Sequence, residues 1–517
     1  MPPSMVDWLP DDHLVWFVIE AVRRLDTGGF HRLAKLGGVG RQGYDPDMLL
    51  TLLVYAMAHG VSSSRRIEAL CHTDVAFRIV CASDVPDHTV LARFRQHHQG
   101  ALTELLTASL VLAAELGMVS LGVVAFDGTK IAANASREAN RGEAHLRRLA
   151  EQFLSTVADT DAAEDALFGE DNRGDELPES VRDRTHRGAR ISRALEQIRA
   201  RRVAAEHAAR EQAERTRAYE QAAAEQGLAA PKGRPPATVD PVAVTKARWQ
   251  RERRAAADRY AEYQARPRRP GRAVPPDEHF RVRAARVAYE EAAQAQAATP
   301  DPAPAGSADG QTDQFRANLT DPDSRLLKTR NGWVQGYNCQ TATSADEFLL
   351  AARATQDAND VEQFVPTKDD VTATADLLAR CTGRTDLQVG TMIGDAGYDS
   401  DDNLAADGPD RLIADAKRHQ IDQRAASEPA TGDPPEGATP REKINHRLRT
   451  PEGHALYQRR APMIEAPNAW LKDRRGLRRF THRGLPAVQA ELSFAAAVTN
   501  LLKLATKGIT ATQLQAG

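Results

Sequence analysis

The stretch from residue 140 to residue 314 constrains the fold more than any other feature, because it separates two strand-like parts of the chain. It is rich in Ala, Arg, Glu and Gln and nearly free of β-branched runs, which is typical of long solvated helices. The sequence "LGVVAFDGTKIAANAS" precedes it, and "WVQGYNCQTATSADEFLLAARAT" follows it. We therefore expect an α/β core that is interrupted by an arm of one or two antiparallel helices.

This division predicts four segments. They are a helical N-terminal domain (1–118), the first part of the core (119–139), the helical arm (140–314) and the remainder of the core with an apolar C-terminal helix (315–517). The arm contains Pro-rich breaks at 230–241 and 266–276 and a flexible linker at 298–313. The short N-terminal helices suit either a DNA-binding helix-turn-helix module or a small bundle, and the bundle is the simpler interpretation.

One block of the chain is strongly basic, although the formal net charge of the whole chain is only −3. Between Arg441 and Arg483 there are 12 Lys and Arg residues against 4 Asp and Glu residues, an excess of 8 positive charges. Because Trp470 and Phe480 lie within this block, we expect an ordered helical segment rather than a disordered tail.

Several functional classes lack support from motifs. The four cysteines form no CxxC pair, so we expect reduced core thiols rather than a zinc site: Cys71, Cys81, Cys339 and Cys381. There is no GxSxG motif of a serine hydrolase and no GxxxxGK[ST] motif of an ATP-binding loop. The N-terminus lacks signal-peptide features, and no apolar run approaches the roughly 18 residues of a membrane span, which predicts a cytoplasmic protein.

Two aspartates follow apolar runs that are typical of buried strands. The run that begins at Val123 leads to Asp127, and the run in "TMIGDAGYDS" ends on Asp395. Each has a structural explanation, because Asp-Gly is a strong hairpin signal and Asp is common in turns. Two carboxylates at the carboxyl ends of core strands are more informative, since open α/β sheets bind their ligands at that edge.

A third acid, Glu465, lies in the basic block. Pro467 follows two residues later, and a helix tolerates proline best in its first turn, so we expect Glu465 at the start of a helix. Stabilisation of a negative charge by the helix dipole is the alternative explanation for this residue. Lys472 comes seven residues after Glu465, two turns along the same face.

Taken together, three carboxylates in a basic setting are what two divalent cations require. Mg²⁺ prefers oxygen ligands, and a pair of ions can activate an attacking oxygen and stabilise a leaving one. Phosphodiester chemistry also needs Arg and Lys to hold the polyanionic strand, and the basic block around Glu465 supplies them.

These residues resemble the DDE transposases of bacterial insertion sequences, which have a ribonuclease H-like catalytic core. "AFDGTKIAANAS" resembles the first-aspartate motif of that family, and "IGDAGYDSDDNL" resembles the second. "TDPDSRLLKTRNGWVQGYNCQ" resembles the segment where the core resumes, and "YQRRAPMIEAPNAWLKDRRGLRRFTHRG" resembles the third-acid region. Tyr457 and Arg460 keep the spacing of that region, as do Glu465 and Lys472, but four residues rather than three separate Arg460 from Glu465. "DHTVLARFR" resembles part of the DNA-binding region.

The resemblance implies a ribonuclease H-like mixed sheet flanked by helices, in which Asp127, Asp395 and Glu465 bind two Mg²⁺ ions, with Mn²⁺ as an alternative. Water would attack the phosphodiester at the transposon end, and the freed 3′-hydroxyl would attack target DNA. The residues expected at the DNA are Lys130, Trp333, Tyr457, Arg460, Lys472, Arg475 and Arg479.

The implied partners are double-stranded DNA, as terminal inverted repeats and as target, and a second copy of the chain in a homodimer on DNA. The implied location is the cytoplasm, in association with the nucleoid and without a membrane. Simpler explanations stay open for three features: Trp333 as a core or rim residue, Lys130 as a solvated lysine and the arm as a solvated spacer.

Two other functions stay open. The first is a transposase-derived DNA-binding protein without catalytic activity, against which the three intact acids argue. The second is a helical scaffold in which the same acids serve only as turn and cap residues.

Overall fold

The computed structural model describes six ranges of the chain: 4–32, 43–152, 179–226, 238–266, 273–298 and 315–516. The predicted Pro-rich breaks and the linker lie largely outside these residues. The chain forms two compact units: Met1–Arg141, Ser180–Arg190 and Ala317–Gly517 make the first, and Gly142–Glu179 and Ile191–Arg316 make the second. The four predicted segments stay a prediction, since compactness alone does not set their boundaries.

The first unit begins with short helices, which follow a 3₁₀ turn at Met5–Trp8. They are α1 (Leu14–Arg24), α2 (Gly28–His31), α3 (Pro46–Ala58), α4 (Ser64–Thr73), α5 (Val75–Val80), α6 (His88–His97) and α7 (Gln99–Glu115). In α3, Asp45 caps the N-terminus by accepting a hydrogen bond of 3.1 Å from the backbone N–H of Asp47, and Pro46 occupies the first turn. The apolar residues that follow are buried, as the sequence predicts for this helix.

A mixed sheet forms the centre of the first unit. The strands are β1 (Val123–Ala132), β2 (Asn140–Gly142), β3 (Arg316–Asn318), β4 (Arg325–Thr329), β5 (Gly332–Ser344), β6 (Leu349–Thr355), β7 (Thr391–Gly394) and β8 (Asp410–Ile413). The main sheet has the order β4-β5-β1-β7-β8, with β6 also paired to β5, and β2 pairs with β3 separately. β5 is antiparallel to β1, β4 and β6, whereas β7 is parallel to β1 and to β8. The predicted α/β class is therefore confirmed.

β1 continues without a turn through the Asp-Gly pair. In the antiparallel ladder Asp127 lies opposite Thr341, and Gly128 lies opposite Gln340. The hairpin explanation of Asp127 is therefore wrong, because the long partner strand β5 provides hydrogen-bond partners on both sides of this pair.

Helices cover the remainder of the first unit. They are α12 (Phe364–Thr382), α13 (Asp401–Ala405), α14 (Arg418–Ser427), α15 (Pro440–Arg449), α16 (Pro451–Gln458), α17 (Arg460–Ala469), α18 (Leu485–Thr506) and α19 (Ala511–Ala516), with a π-helical turn at Trp470–Arg474. By length and composition α18 could cross a membrane, but 72% of its apolar window is buried inside the protein, where it packs on α7 and β6. This burial is that of a core helix.

Most described residues of the second unit lie in α-helices. They comprise α8 (143–152), the part of α9 (Glu179–Gln226) that begins at Ile191, α10 (Pro241–Ala265) and α11 (Phe280–Ala298). Trp249 of α10 stacks on Tyr289 of α11 with ring centroids 5.6 Å apart, and Glu143 of α8 forms ion pairs with arginines of α8 and α9. Most other side chains of these helices are exposed, which agrees with their charged composition.

Candidate active site

Asp127 and Asp395 lie side by side where the parallel strands β1 and β7 part. The parallel register pairs Ala125 with Ile393, and each aspartate stands two residues further along its own chain segment. Because side chains alternate across a strand, Asp127 leaves the same face of the sheet as Ala125. Asp395 is the first residue after β7, and its Oδ1 accepts a hydrogen bond of 2.9 Å from the backbone N–H of Gly397. The structure therefore brings the two predicted aspartates together.

Aromatic rings on the other face of the sheet fix the spacing of these strands. A Cβ atom on Gly394, the last residue of β7, would lie 2.3 Å from the nearest ring atom of Phe126, so the strands can approach here only with glycine. Phe126 is fully buried. Its ring centroid lies 4.7 Å from that of Tyr398, edge to face, and 5.3 Å from that of Phe364. The two aspartates thus rest on a closely packed aromatic core.

One guanidinium partly neutralises the aspartate pair. Nη1 of Arg460 lies 3.3 Å from Oδ2 of Asp127, and Arg460 also attracts Asp395. Burial raises the pKa of Asp127 to about 6, with Arg460 opposing the rise and Asp395 adding to it. A single arginine therefore does not fully compensate the two carboxylates, and a divalent cation would stabilise the charged form of both.

Glu465 lies in the middle of a helix rather than at its start. α17 begins at Arg460, so Glu465 is the sixth residue of the helix and Pro467 the eighth. The expectation that Pro467 marks the first turn is wrong, and the helix-dipole explanation of Glu465 fails with it, since that effect is confined to the terminal turn. The wider π-helical turn follows directly, as is usual where the α-helical hydrogen-bond ladder is disturbed.

The face of α17 that packs on the sheet carries residues spaced by four. Arg460 reaches Asp127, Ile464 packs against Ala125, and Oδ1 of Asn468 accepts a hydrogen bond of 2.9 Å from the hydroxyl of Thr341. This row of side chains fixes the helix across the strand that carries the first aspartate.

Glu465 stands beside this row. It follows Ile464 by one residue, about 100° around the helix. Its side chain is exposed, and within the described residues it makes no hydrogen bond or ion pair with Asp127 or Asp395. The structure thus joins two of the three predicted acids and leaves the third at the border of the site.

In the described ranges, the three predicted acids do not form a cluster whose possible metal-ligand atoms all lie within 4.8 Å of one another. Two other groups of side chains do form such clusters. The two groups are His31 with Asp45 and Asp47, and Glu68 with Asp87 and His88. Asp45 and Asp87 already cap helices, and Glu68 contacts His88, so ordinary local interactions account for both groups.

Tyr457 and Lys472 lie at the site, whereas Arg475 does not. Tyr457 is buried at the end of α16, where burial raises its pKa and the charge of Arg460 opposes the rise. Lys472 is half-buried in the π-helical turn, where burial lowers its pKa and Asp127 attracts its charge. Arg475 is 6% exposed, and its Nη1 donates a hydrogen bond of 2.8 Å to the carbonyl of Ala58 at the end of α3. Arg475 therefore serves inside the protein.

The other predicted DNA contacts lie near the far end of β1. Nζ of Lys130 donates a hydrogen bond of 2.7 Å to the carbonyl of Lys328, which lies opposite Trp333 in the β4–β5 ladder. Trp333 is 52% exposed. Arg479 is exposed and forms a parallel bridge with Ala132. Because Lys130 is three positions after Asp127 on β1, the two side chains leave opposite faces of the sheet.

The sequence interpretation missed a polar network beside the aspartates. Asp360 lies between β6 and α12, and its Oδ1 accepts hydrogen bonds of 2.8 Å from the amide of Asn338 and 2.7 Å from the amide of Gln340. Oε1 of Gln340 in turn accepts a hydrogen bond from the hydroxyl of Tyr398. Two polar residues that share one face of a buried strand were the available signal, but nothing in the sequence linked that face to Asp360.

Asp127 and Asp395 fit a hard divalent cation. Both are carboxylates, which Mg²⁺ prefers, and among the described residues no donor contacts Oδ2 of Asp395.

Two family models match separate parts of the chain. Residues 4–97, which contain α1 to α6, match the Transposase domain (DUF772). Residues 434–505, which run from α15 into α18, match the Transposase DDE domain. These matches support a DDE transposase of the insertion-sequence type. They confirm the resemblance that the motifs indicate.

The DDE match includes Glu465 and Lys472, whereas Asp127 and Asp395 lie outside both matched segments. No curated protein and no solved structure matches the chain. A transposase acts on DNA, and DDE transposases generally use divalent metal ions.

Proposed function

We propose that this protein cleaves DNA at transposon ends and transfers the cleaved strands into target DNA, with Asp127, Asp395 and Glu465 binding two Mg²⁺ ions. The observation that carries the proposal is the pair of aspartates just beyond the parallel pairing of β1 with β7, in a chain with two segments that match transposase domains. Carboxylates at such a strand edge are placed to bind a ligand in front of the sheet.

We assign a ribonuclease H-like fold to the core. In its support, β6, β5 and β1 are antiparallel neighbours and the sheet continues with the parallel strands β7 and β8. The first aspartate lies on β1, and the second follows β7 directly. The helices of the arm are inserted between β2 and β3 in the sequence, and the strand order of the main sheet is kept.

The metal ions would be held from two sides. Asp127 and Asp395 would bind them from the sheet, and Glu465 would bind them from α17. Bound Mg²⁺, or Mn²⁺ in its place, would supply activation of the attacking oxygen and stabilisation of the leaving oxygen. The proposal requires Glu465 to turn toward the aspartates about its side-chain torsions, which its exposure permits.

Arg460 would change its partner when metal ions bind to the aspartates. It contacts Asp127 in the structure, at 3.3 Å, and in a metal-loaded site its planar guanidinium would be released to grip a phosphate oxygen. Tyr457 is buried close to that guanidinium, whose charge acts on the phenol. Lys472, whose charge Asp127 attracts, would add a further positive charge to the site.

The DNA on either side of the cleaved bond would contact the basic surface at the end of β1. The segment that carries Arg479 is fixed there, because Phe480 donates a backbone hydrogen bond of 2.8 Å to Ala132. Lys130 and the exposed Trp333 extend this surface, the tryptophan by stacking on an unpaired base. Residue 130 is about 10 Å along the strand from Asp127, and because its side chain leaves the opposite face, Lys130 would reach DNA only beyond the end of the strand. We further propose that two copies of the chain hold the two transposon ends.

The test is Mg²⁺-dependent nicking of a linear duplex that carries the terminal inverted repeats. The wild-type protein is expected to nick at the ends of the repeats. Asp127→Asn, Asp395→Asn and Glu465→Gln are each expected to lose at least about 100-fold in cleavage rate while they retain DNA binding. Glu452→Gln, at an exposed glutamate of α16, is the matched control and should cleave normally. Full activity of any of the three variants would remove that residue from the mechanism.

A second candidate function is DNA binding without catalysis. Two observations favour it: Arg460 partly neutralises Asp127, and Glu465 is exposed without a contact to either aspartate within the described residues. Under this function the wild-type protein would bind the terminal repeats and would nick them with neither Mg²⁺ nor Mn²⁺.

A further inference from the structure

We propose that Asp360 is a positioning residue, which holds the loop that carries Asp395 at a fixed distance from Asp127. The inference rests on the proposed function, because it assigns Asp360 a part in building that site. It acts through hydrogen bonds to β5 and through close packing against two glycines.

The carboxylate of Asp360 is held from one side by two buried amides. Its Oδ1 accepts from Nδ2 of Asn338 at 2.8 Å and from Nε2 of Gln340 at 2.7 Å. Both amides lie on β5 and are at most 1% exposed. Because neither amide has access to water, the loss of their common acceptor would leave donors unsatisfied inside the protein.

The same carboxylate lies over the backbone beside each catalytic aspartate. A Cβ atom on Gly128, the residue after Asp127, would lie 2.3 Å from Oδ1 of Asp360. A Cβ atom on Gly397, two residues after Asp395, would lie 3.6 Å from Oδ2. Asp360 therefore fills the space between the two backbone segments and limits how closely they approach.

A relay connects Asp360 to the loop of the second aspartate. Gln340 donates its amide to Asp360 and accepts the hydroxyl of Tyr398 on its Oε1. Tyr398 is three residues after Asp395, and its ring packs on Phe126 beneath the first aspartate. Because the amide nitrogen of Gln340 points to Asp360, its oxygen faces Tyr398 and can only accept a hydrogen bond from the tyrosine hydroxyl. This hydrogen bond fixes one end of the loop that carries Asp395.

Cleavage of the terminal-repeat duplex gives the first readout. Asp360→Ala is expected to lower kcat by about 100-fold with DNA affinity unchanged, since a displacement of about 1 Å at a reacting group can cost that much. Asp360→Asn retains an acceptor for both amides and is expected to recover at least about tenfold of the loss. Glu362→Ala, at an exposed acid two residues away, is the control and should cleave at the wild-type rate.

Thermal unfolding gives a second readout that does not depend on activity. Gly128→Ala should lower Tm, because the new Cβ overlaps the Asp360 carboxylate. In combination with Asp360→Ala, the same change should lower Tm by less, because the carboxylate is gone. Gly122→Ala is the matched glycine control, since a Cβ there meets no described atom within 4 Å.

The outcomes separate this inference from the proposed function. Wild-type rates in Asp360→Ala, or Tm changes that are additive in the double variant, would overturn the positioning role. If Asp360→Ala does not fold, Tyr398→Phe provides the test, because it removes only the hydroxyl at the other end of the relay. This variant should lower kcat about tenfold. A wild-type kcat in Tyr398→Phe would overturn the inference. Failure of the wild-type protein to cleave with either metal would overturn the proposed function itself, whereas the Tm comparison still tests the packing of Asp360.

Discussion

Replacement of Gly394 by alanine perturbs the spacing of the two aspartates most directly. The new Cβ atom would lie 2.3, 2.7 and 3.1 Å from three ring atoms of Phe126. The ring has little room to yield, because Tyr398 and Phe364 pack against it with centroid distances of 4.7 and 5.3 Å. Overpacking of a buried core costs about 1–3 kcal/mol. The strain would be relieved by separation of β7 from β1, which would move Asp395 away from its partner.

Urea unfolding and the nicking assay measure the two consequences together. Gly394→Ala should lower the free energy of unfolding by about 1–3 kcal/mol and the cleavage rate by up to about 100-fold. Phe126→Leu in the same chain should restore part of the stability, because the smaller side chain makes room for the methyl group. Gly122→Ala, in open space, is the control. Equal stability of the Gly394 and Gly122 variants would refute the packing argument.

Three further predictions concern the basic segment and its anchors. Burial alone would raise the pKa of Glu491, but hydrogen bonds from His482 and Thr481 outweigh burial and lower the pKa. The ionised Glu491 carboxylate therefore stabilises the fold at neutral pH. This contribution is lost as the pH falls through the lowered pKa. Glu491→Gln should therefore lower the free energy of unfolding by about 1–3 kcal/mol at pH 7. In acid the Tm values of the variant and the wild-type protein should converge, and a difference in Tm that does not change with pH would contradict this prediction. Arg475→Met should cost about 1–3 kcal/mol in urea unfolding and leave DNA affinity unchanged, and the opposite pattern would restore its predicted DNA contact. Arg479→Ala should weaken DNA binding and reduce the slope of log K against log salt by about 0.9, and an unchanged slope would place Arg479 away from phosphate.

The sheet and its two aspartates could be predicted because their signals are local. An apolar run of strand-forming residues before Asp127 and another before Asp395 are enough to place each acid on or after a core strand. Their convergence followed from the rule that ligands bind at the carboxyl ends of parallel strands. β1 and β7 are parallel neighbours, as that rule requires, and Asp395 directly follows β7, but Asp127 lies in the interior of β1, which continues to Ala132 along β5.

The third acid and the basic residues depend on which face of a helix meets the sheet, which local signals do not determine. Pro467 predicted a helix start, yet α17 begins seven residues earlier and accommodates it before a π-helical turn. Arg475 counted as a basic residue in the sequence, but its partner is a carbonyl far away along the chain. Asp360 carried no motif, because its role depends on contacts with β5 and with two glycines that are distant in sequence.

Iron-mediated cleavage of the protein backbone tests most directly whether one metal site joins three distant parts of the chain. Fe²⁺ would replace Mg²⁺ in the full-length protein bound to terminal-repeat DNA, and ascorbate with peroxide would generate hydroxyl radicals at the bound ion. We predict backbone cuts near residues 127, 395 and 465, all suppressed by excess Mg²⁺. Cuts near residues 127 and 395 without a cut near 465, or cuts that Mg²⁺ does not suppress, would contradict the account.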